Sequence, residues 1–241
     1  MEHTSLETEQ DVSISQQAMP PTAYGRADLH MHTNLGDGWA SPAKVIEVAI
    51  ARGLNLIAVT DHDHIEGAKR VADLLAQGDY PLRLITGVEV STRQGHLLGL
   101  FVKKAPKHLR SVEESIDAIK EQGGLVYLEH PYDTSRRNLQ EKAIERIAGQ
   151  IDIVEVVNGR SGVEVNRRAE ELRSTLGVPG GAGSDAHTIR EIGSVYVEME
   201  AFDGAHDFLV KLRSGRIVTH TNRWLMAAKR RLAHRSPKSG S

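Results

Sequence analysis

Short apolar segments alternate with helical patterns through most of this 241-residue chain. A segment such as Leu56–Thr60 has the length and composition of a buried strand. The helical stretches carry their own start signals, since Ser41-Pro42 is typical of an N-cap followed by the first helical residue. Ser111 with Glu114 three residues later is a capping-box pattern. Strands that alternate with helices in this way predict parallel β/α units, in one α/β barrel-like domain rather than an all-β fold.

The two ends of the chain depart from this pattern. Residues 1–24 are polar and rich in Ser, Thr and Gln, so we expect a disordered N-terminal arm. Residues 25–222 would form the barrel domain, and residues 223–241 a basic amphipathic helix that runs into a Ser/Gly tail. Such a helix can dock on nucleic acid or an anionic membrane, but it is more often a solvated face, so neither partner is favoured.

Composition limits the chemistry that the chain can perform. It has no cysteine, which excludes disulfides, thiolate metal sites and a cysteine nucleophile. Any metal ion must be held by imidazole and carboxylate groups, which suit manganese, zinc and iron. The formal net charge of −2 gives no general reason to expect a polyanionic partner. The sequence shows neither a secretory signal nor a transmembrane run, so we expect a cytoplasmic protein.

Histidine and acidic residues follow five of the apolar segments. His30 and His32 alternate at the end of the first predicted strand, which places both rings on one face. The other groups are Thr60-Asp61-His62-Asp63-His64, Glu89 with His96, Glu129-His130-Pro131 and Gly183-Ser184-Asp185-Ala186-His187. In a β/α barrel the carboxyl ends of the strands converge on one face, where active sites lie. Imidazoles and carboxylates gathered there need positive charge among them, which predicts a multinuclear metal site.

Five ordered segments resemble the motifs of the PHP family, named for polymerase and histidinol phosphatase. They are Asp28-Leu29-His30-Met31-His32-Thr33, Thr60-Asp61-His62-Asp63, Gly87-Val88-Glu89-Val90-Ser91, Glu129-His130-Pro131 and Gly183-Ser184-Asp185-Ala186-His187. The resemblance implies a distorted (β/α)7 barrel that binds two or three divalent metal ions, with manganese, zinc and iron as candidates. Carried over by position, it implies the metal ligands His30, His32, Asp37, His62, Glu89, His96, His130, Asp185 and His187. Glu89 would bridge two of the metals.

The resemblance also implies a metal-dependent phosphoesterase, in which a metal-bridging hydroxide attacks the phosphorus. Neighbouring metal ions lower the pKa of bound water and clamp the attacking and leaving oxygens, so no side-chain nucleophile is needed. We therefore assign no side chain as the nucleophile. His64, beside the second motif, is a candidate for protonating the leaving alkoxide, although a loop histidine without a role is the commoner case.

Phosphate recognition needs cations besides the metals, and arginine supplies them best. Candidates in loops near the motifs are Arg93, Arg136, Arg137, Arg160 and Arg190. Arg160 ranks first because it follows Asn158-Gly159 at a strand end, and Arg93 ranks second.

Other functions remain open from the sequence. The main hypothesis is an enzyme that hydrolyses a small phosphorylated metabolite, a nucleotide or a short oligonucleotide. The alternatives are a non-catalytic accessory PHP module, as found within some DNA polymerases, and a DNA or RNA exonuclease, which would need a long basic groove. Hydrolysis of C–N or C–O bonds, as in amidohydrolases, is a further alternative. Substrate, metal identity and oligomeric state are not determined by the sequence.

Overall fold

A computed structural model of the protein describes residues 24–220. Within them, nine strands form one sheet and six α-helices pack around it. In chain order the elements are β1 (Tyr24–Met31), α1 (Pro42–Ala51), β2 (Leu56–Val59), α2 (Glu66–Ala76), β3 (Arg83–Thr92), β4 (Gly95–Leu100), α3 (Val112–Lys120), β5 (Leu125–Leu128), α4 (Glu141–Ile147), β6 (Ile153–Asn158), α5 (Val163–Leu176), β7 (Gly180–Gly183), β8 (Val195–Glu200), α6 (Gly204–Leu212) and β9 (Arg216–Thr219).

The sheet curls into a nearly closed barrel. Its strand order is β7-β6-β5-β4-β3-β2-β1-β8-β9. The segment after β7 returns to β1, where the His32 N–H donates to the Ala186 carbonyl at 2.9 Å and the Asp185 N–H donates to the His30 carbonyl at 2.8 Å. These bonds form a seam between the first and seventh strands. The prediction of an α/β barrel-like domain is confirmed.

The sheet is not the regular alternation of parallel strands and helices that the sequence predicts. β3 and β4 pair antiparallel, with Arg93 and Gln94 as the only residues between them. A connection of two residues cannot hold a crossover helix, so it allows only a hairpin. β8 and β9 also pair antiparallel, outside β1. The described strands and helices therefore do not make a sevenfold β/α repeat.

The local start signals act as the sequence predicts. The Ser41 side chain accepts from the backbone N–H of Lys44 at 3.4 Å, and Pro42 opens α1. Ser111 and Glu114 form the reciprocal capping box at the start of α3. The barrel interior is then filled by aliphatic side chains of the strands together with the buried ring of Tyr127. The caps thus fix where these helices begin, and the core packs the strands whose ends carry the polar residues.

The terminal segments that the sequence singles out lie almost wholly outside the described residues. The predicted N-terminal arm lies outside them apart from Tyr24, which belongs to β1. The predicted basic helix at 223–241 also lies outside them. No helix in the described part of the chain combines the length and the apolar character that crossing a membrane would take.

Candidate metal centre

The first two histidines meet Asp185 across the seam of the barrel. The Nε2 atoms of His30 and His32 are 3.2 Å apart. Asp185 Oδ1 lies 3.7 Å from the first of them and 3.5 Å from the second. Asp185 lies two residues beyond the end of β7 and has a left-handed φ of 51°, which costs energy in a residue with a side chain. Two imidazole nitrogens and a carboxylate oxygen so close together can hold one metal ion.

A second group of ligand atoms lies nearer the solvent, around Asp37. Its Oδ2 atom is 3.1 Å from His187 Nε2 and 3.5 Å from His62 Nε2, while its Oδ1 atom is 3.3 Å from His32 Nδ1. Asp37 is half exposed and comes from the loop between β1 and α1. The loops after β1, β2 and β7 therefore contribute to this outer position.

Glu89 lies between the two groups. Its Oε2 atom is 3.3 Å from the Nε2 atoms of both His30 and His32. Its Oε1 atom is 2.7 Å from His96 Nδ1 and 3.6 Å from His62 Nδ1. A carboxylate that offers one oxygen to each of two histidine pairs has the arrangement of a bridging ligand. His96 reaches this position because the antiparallel hairpin returns β4 to the end of β3.

His130 stands somewhat apart from the other predicted ligands. Its ring stacks on that of His30 with the centroids 5.8 Å apart, and it belongs to none of the four sets of described residues whose ligand atoms all lie within 4.8 Å of one another. Its Nδ1 atom is buried and has no hydrogen-bond partner among the described residues. Burial lowers the pKa of this ring, which favours the neutral imidazole that a metal ion requires.

Glu155 supports this arrangement from inside the barrel. One of its oxygens lies 3.1 Å from His30 Nδ1, and the other accepts from the His130 backbone N–H at 2.8 Å and from the Asn158 amide at 2.9 Å. An ionised carboxylate only accepts, so in the neutral ring that a metal ion requires the His30 proton would lie on Nδ1 and leave Nε2 with a free lone pair. A carboxylate behind a metal-binding histidine commonly fixes the ring in this way.

The charges of the cluster depend on one another. Burial by itself lowers the pKa of His30, but the negative charges of Asp185 and Glu155 outweigh burial and hold that pKa well above its usual value. Hydrogen bonds from His187 and two further imidazoles hold the pKa of Asp37 far below its usual range. The carboxylates thus require positive charge beside them, and a divalent ion supplies more of it than a protonated imidazole.

The residues present fit divalent metal ions. The donors are imidazole nitrogens and carboxylate oxygens, as manganese, zinc and iron prefer. Buried polar atoms are normally hydrogen bonded. Here His130 Nδ1 and both carboxylate oxygens of Glu129 have no such partner among the described residues. Metal coordination would satisfy atoms of this kind.

Two arginines reach the cluster. Arg160 Nη1 lies 2.7 Å from His187 Nδ1 and 3.8 Å from Asp185 Oδ1. Arg136 Nη1 lies 2.6 Å from Asp185 Oδ2 and donates to the Asn158 side-chain oxygen at 3.1 Å. Arg160, which ranks first from the sequence, is therefore beside the predicted ligands. Arg136 is equally close, although nothing in its sequence surroundings distinguishes it from the other candidate arginines.

The other candidates have different surroundings. The exposed Arg93 donates through Nε to the Leu109 carbonyl at 3.0 Å, in the loop before α3. Its part in substrate binding stays a prediction. His64 Nδ1 lies 3.0 Å from Glu66 Oε2, and the ring is partly exposed. A contact with an exposed carboxylate of this kind is common for a loop histidine, and a part for His64 in proton transfer stays a prediction.

Sequence reasoning did not single out Glu129, Glu155 or Trp39. Glu155 had a signal, because an acidic residue within the apolar strand Ile153–Asn158 must point into a polar interior. Glu129 is named in a motif but not as a ligand. Trp39 is 82% exposed, and its backbone N–H donates to the His187 carbonyl at 2.8 Å. Its place beside the cluster depends on that long-range contact.

The family assignment rests on direct matches. A family model described as the PHP domain matches residues 28–172, and one described as PHP-associated matches residues 163–217. The chain belongs to the PHP family. The predicted resemblance is thereby confirmed, and the matched residues include all of the predicted ligands.

Several curated proteins are similar to this PHP chain. An uncharacterised protein of Methanocaldococcus jannaschii is 34% identical over 155 residues, which cover 58% of this chain and 87% of that protein. A 5'-3' exoribonuclease of Haemophilus influenzae is 36% identical over 39% of this chain and 35% of its own length. A 3',5'-nucleoside bisphosphate phosphatase of Chromobacterium violaceum is 38% identical over 37% of this chain and 32% of its own length. The exoribonuclease and the phosphatase bear out the prediction of a phosphoric ester hydrolase as a reaction class.

Solved structures share the PHP fold at low sequence identity. A two-domain protein of Bacteroides vulgatus, described as containing a PHP-like metal-dependent phosphoesterase, superposes with a TM-score of 0.68 at 18% identity and covers 89% of this chain and 70% of its own. An amidohydrolase of Chromobacterium violaceum has a TM-score of 0.59 at 19% identity and covers 82% of this chain and 99% of its own. Both likenesses support the barrel architecture.

Proposed function

We propose that this PHP protein hydrolyses the phosphoester of a nucleotide or a short oligonucleotide at the cluster of imidazoles and carboxylates. The observation that carries the proposal is the convergence of the predicted ligands, from five separate strand ends, on one face of the barrel beside two arginines. Seven of the nine predicted ligands lie in overlapping groups with ligand atoms within 4.8 Å of one another. His187 contacts this cluster through Asp37 at 3.1 Å, and His130 lies apart from the groups.

The side chains divide into those that hold metal and those that hold substrate. The inner ion would be held by His30, His32 and Asp185, and outer ions by Asp37, His62, His96 and His187, with Glu89 between them. Divalent ions bound there would lower the pKa of bound water and offset charge on the phosphate oxygens. Arg136 and Arg160 are positioned to donate to those oxygens, because each guanidinium already lies beside Asp185.

Trp39 favours a substrate that carries a nucleobase. The indole is 82% exposed, yet its backbone is fixed at the cluster by the bond to the His187 carbonyl. Leu35 in the same loop and Ile189 in the loop after β7 are also exposed. An aromatic ring beside a phosphate site can stack on a base, an interaction worth about 1–3 kcal/mol per base. The named relatives that act on nucleotides or RNA support the same substrate class.

The first test is a metal analysis followed by a substrate panel. We expect protein purified without chelators to contain divalent metal, and to release phosphate from nucleoside phosphates or short oligonucleotides when manganese, iron or zinc is supplied. Protein with no bound metal and no activity after any of these additions would instead favour the accessory PHP module. Competition by long oligonucleotides at lower concentrations than by mononucleotides would favour the exonuclease.

The second test concerns the base. We expect Trp39→Ala to raise KM for a nucleoside monophosphate about tenfold, since one stacking contact is lost, and to leave KM for ribose 5-phosphate unchanged. Trp39→Phe should recover most of the loss. Equal changes on both substrates would contradict a role in base recognition.

A further inference from the structure

Glu129 is a buried carboxylate that the protein leaves without a hydrogen bond. It follows β5 directly, and its side chain is fully buried. Neither carboxylate oxygen has a hydrogen-bond partner among the described residues. The other buried carboxylates behave differently: Asp28, for example, accepts from the backbone N–H groups of Ser184 and Gly193 at 2.8 and 2.9 Å. A desolvated carboxylate without donors is unfavourable unless a cation lies beside it.

The groups that face Glu129 are themselves predicted metal ligands. His30 Nε2 lies 4.0 Å from Glu129 Oε2. Ligand atoms of His30, Glu89 and Glu129 all lie within 4.8 Å of one another, and all three residues are buried. Two of the three are carboxylates, which repel one another unless positive charge separates them. The guanidinium of Arg136 does not supply that charge, because it is engaged by Asp185 at 2.6 Å.

We infer that Glu129 is a metal ligand in addition to the nine that the motifs predict, and that it binds the buried inner ion, which it would share with His30 and Glu89. This inference rests on the proposed function, since it assumes that the cluster binds divalent ions. One consequence is that Glu129 adds a carboxylate to the donors of the inner ion, which suits a harder ion such as Mn²⁺. Another is that this ion would be shielded from solvent.

The test is Mn²⁺ binding to Glu129→Gln, which keeps the shape of the side chain and removes its charge. We expect equilibrium dialysis to show the Mn²⁺ dissociation constant of one site rising at least tenfold. Glu145→Gln, which removes an exposed carboxylate from α4, is the matched control and should bind as the wild type does. A rise of less than tenfold at every site of Glu129→Gln would overturn the inference and make Glu129 a neutral buried side chain.

A measurement on the wild-type protein covers the case in which the variant does not fold. Crystals soaked in Mn²⁺ should give an anomalous peak closer than about 2.5 Å to a Glu129 oxygen. Manganese peaks confined to the other ligands would overturn the role of Glu129 while leaving the proposed function intact. Failure of the wild type to bind Mn²⁺, Zn²⁺ or Fe²⁺ would overturn both.

Discussion

The side chain of Glu155 contacts several of the groups around the predicted metal ligands. It lies within 3.1 Å of His30 Nδ1, accepts from the His130 backbone N–H, and receives the Tyr127 hydroxyl at 3.3 Å. It is fully buried. By fixing the His30 proton on Nδ1, it leaves Nε2 free to face the predicted metal position. It is a positioning residue, because it acts on the ligands rather than on substrate.

Glu155→Gln should therefore weaken metal binding without removing a ligand. Because the amide lacks the charge that holds the His30 ring, we expect the Mn²⁺ dissociation constant to rise about 10- to 100-fold. Titration by equilibrium dialysis measures it, with circular dichroism to show that the fold is retained. Glu145→Gln serves again as the control. A folded Glu155→Gln protein that binds Mn²⁺ with wild-type affinity would refute the positioning role.

At the scale of the element, the β3–β4 hairpin brings two ligands together. In the hairpin His96 pairs with Ser91, and Ser91 is two residues beyond Glu89 in β3. Gly95 makes the turn with a φ of 136°, a conformation that residues with a Cβ rarely adopt. A Cβ added there would also collide with the Asn138 carbonyl oxygen. The turn is thus tied to the loop before α4.

Gly95→Ala should damage both stability and the metal centre. Strain at such a φ costs about 1–3 kcal/mol, so we expect the free energy of unfolding to fall by at least that amount. Displacement of His96 should weaken Mn²⁺ binding in the same protein. Urea denaturation and metal titration measure the two effects. Gly149→Ala has open space around its added Cβ and should change the free energy of unfolding by less than about 0.5 kcal/mol. Equal stabilities for the two variants would contradict this view of the turn.

Across the whole molecule, the metal centre joins distant parts of the chain. Its predicted ligands come from segments that follow β1, β2, β5 and β7 and from the β3–β4 hairpin. Gly183 allows the close approach at the seam, since a Cβ there would collide with that of His30. Bound ions would hold these segments together and stabilise the folded barrel relative to the unfolded chain.

Metal removal should therefore lower the melting temperature. At a metal concentration about 1,000 times the dissociation constant, binding stabilises the fold by about 4 kcal/mol, which corresponds to roughly 10 °C for a domain of this size. We expect differential scanning fluorimetry to show a drop of that order after treatment with EDTA, and its recovery when Mn²⁺ is restored. An unchanged melting temperature would contradict a metal centre that bridges the strands.

The sequence was a good guide wherever the controlling interactions are local. The helices begin where Ser41-Pro42 and Ser111 predict, because caps act within one turn. It predicted parallel β/α units, however, and did not identify the antiparallel pairing of β3 with β4. The two-residue connection Arg93-Gln94 lacks the usual Asn-Gly or Asp-Gly signal, and only Gly95 marks the turn.

The sequence by itself determined the ligand types, their order along the chain and the family. The absence of cysteine and the repeated His, Asp and Glu after apolar segments left imidazole–carboxylate metal binding as the main interpretation. The tertiary structure decided which of these side chains meet. The seam joins His30 to Asp185, 155 residues later, and the barrel interior sets Glu129 and Glu155 against His30. Such contacts depend on strand order and barrel closure, which arise from packing across the whole sheet and leave no local signal in the sequence.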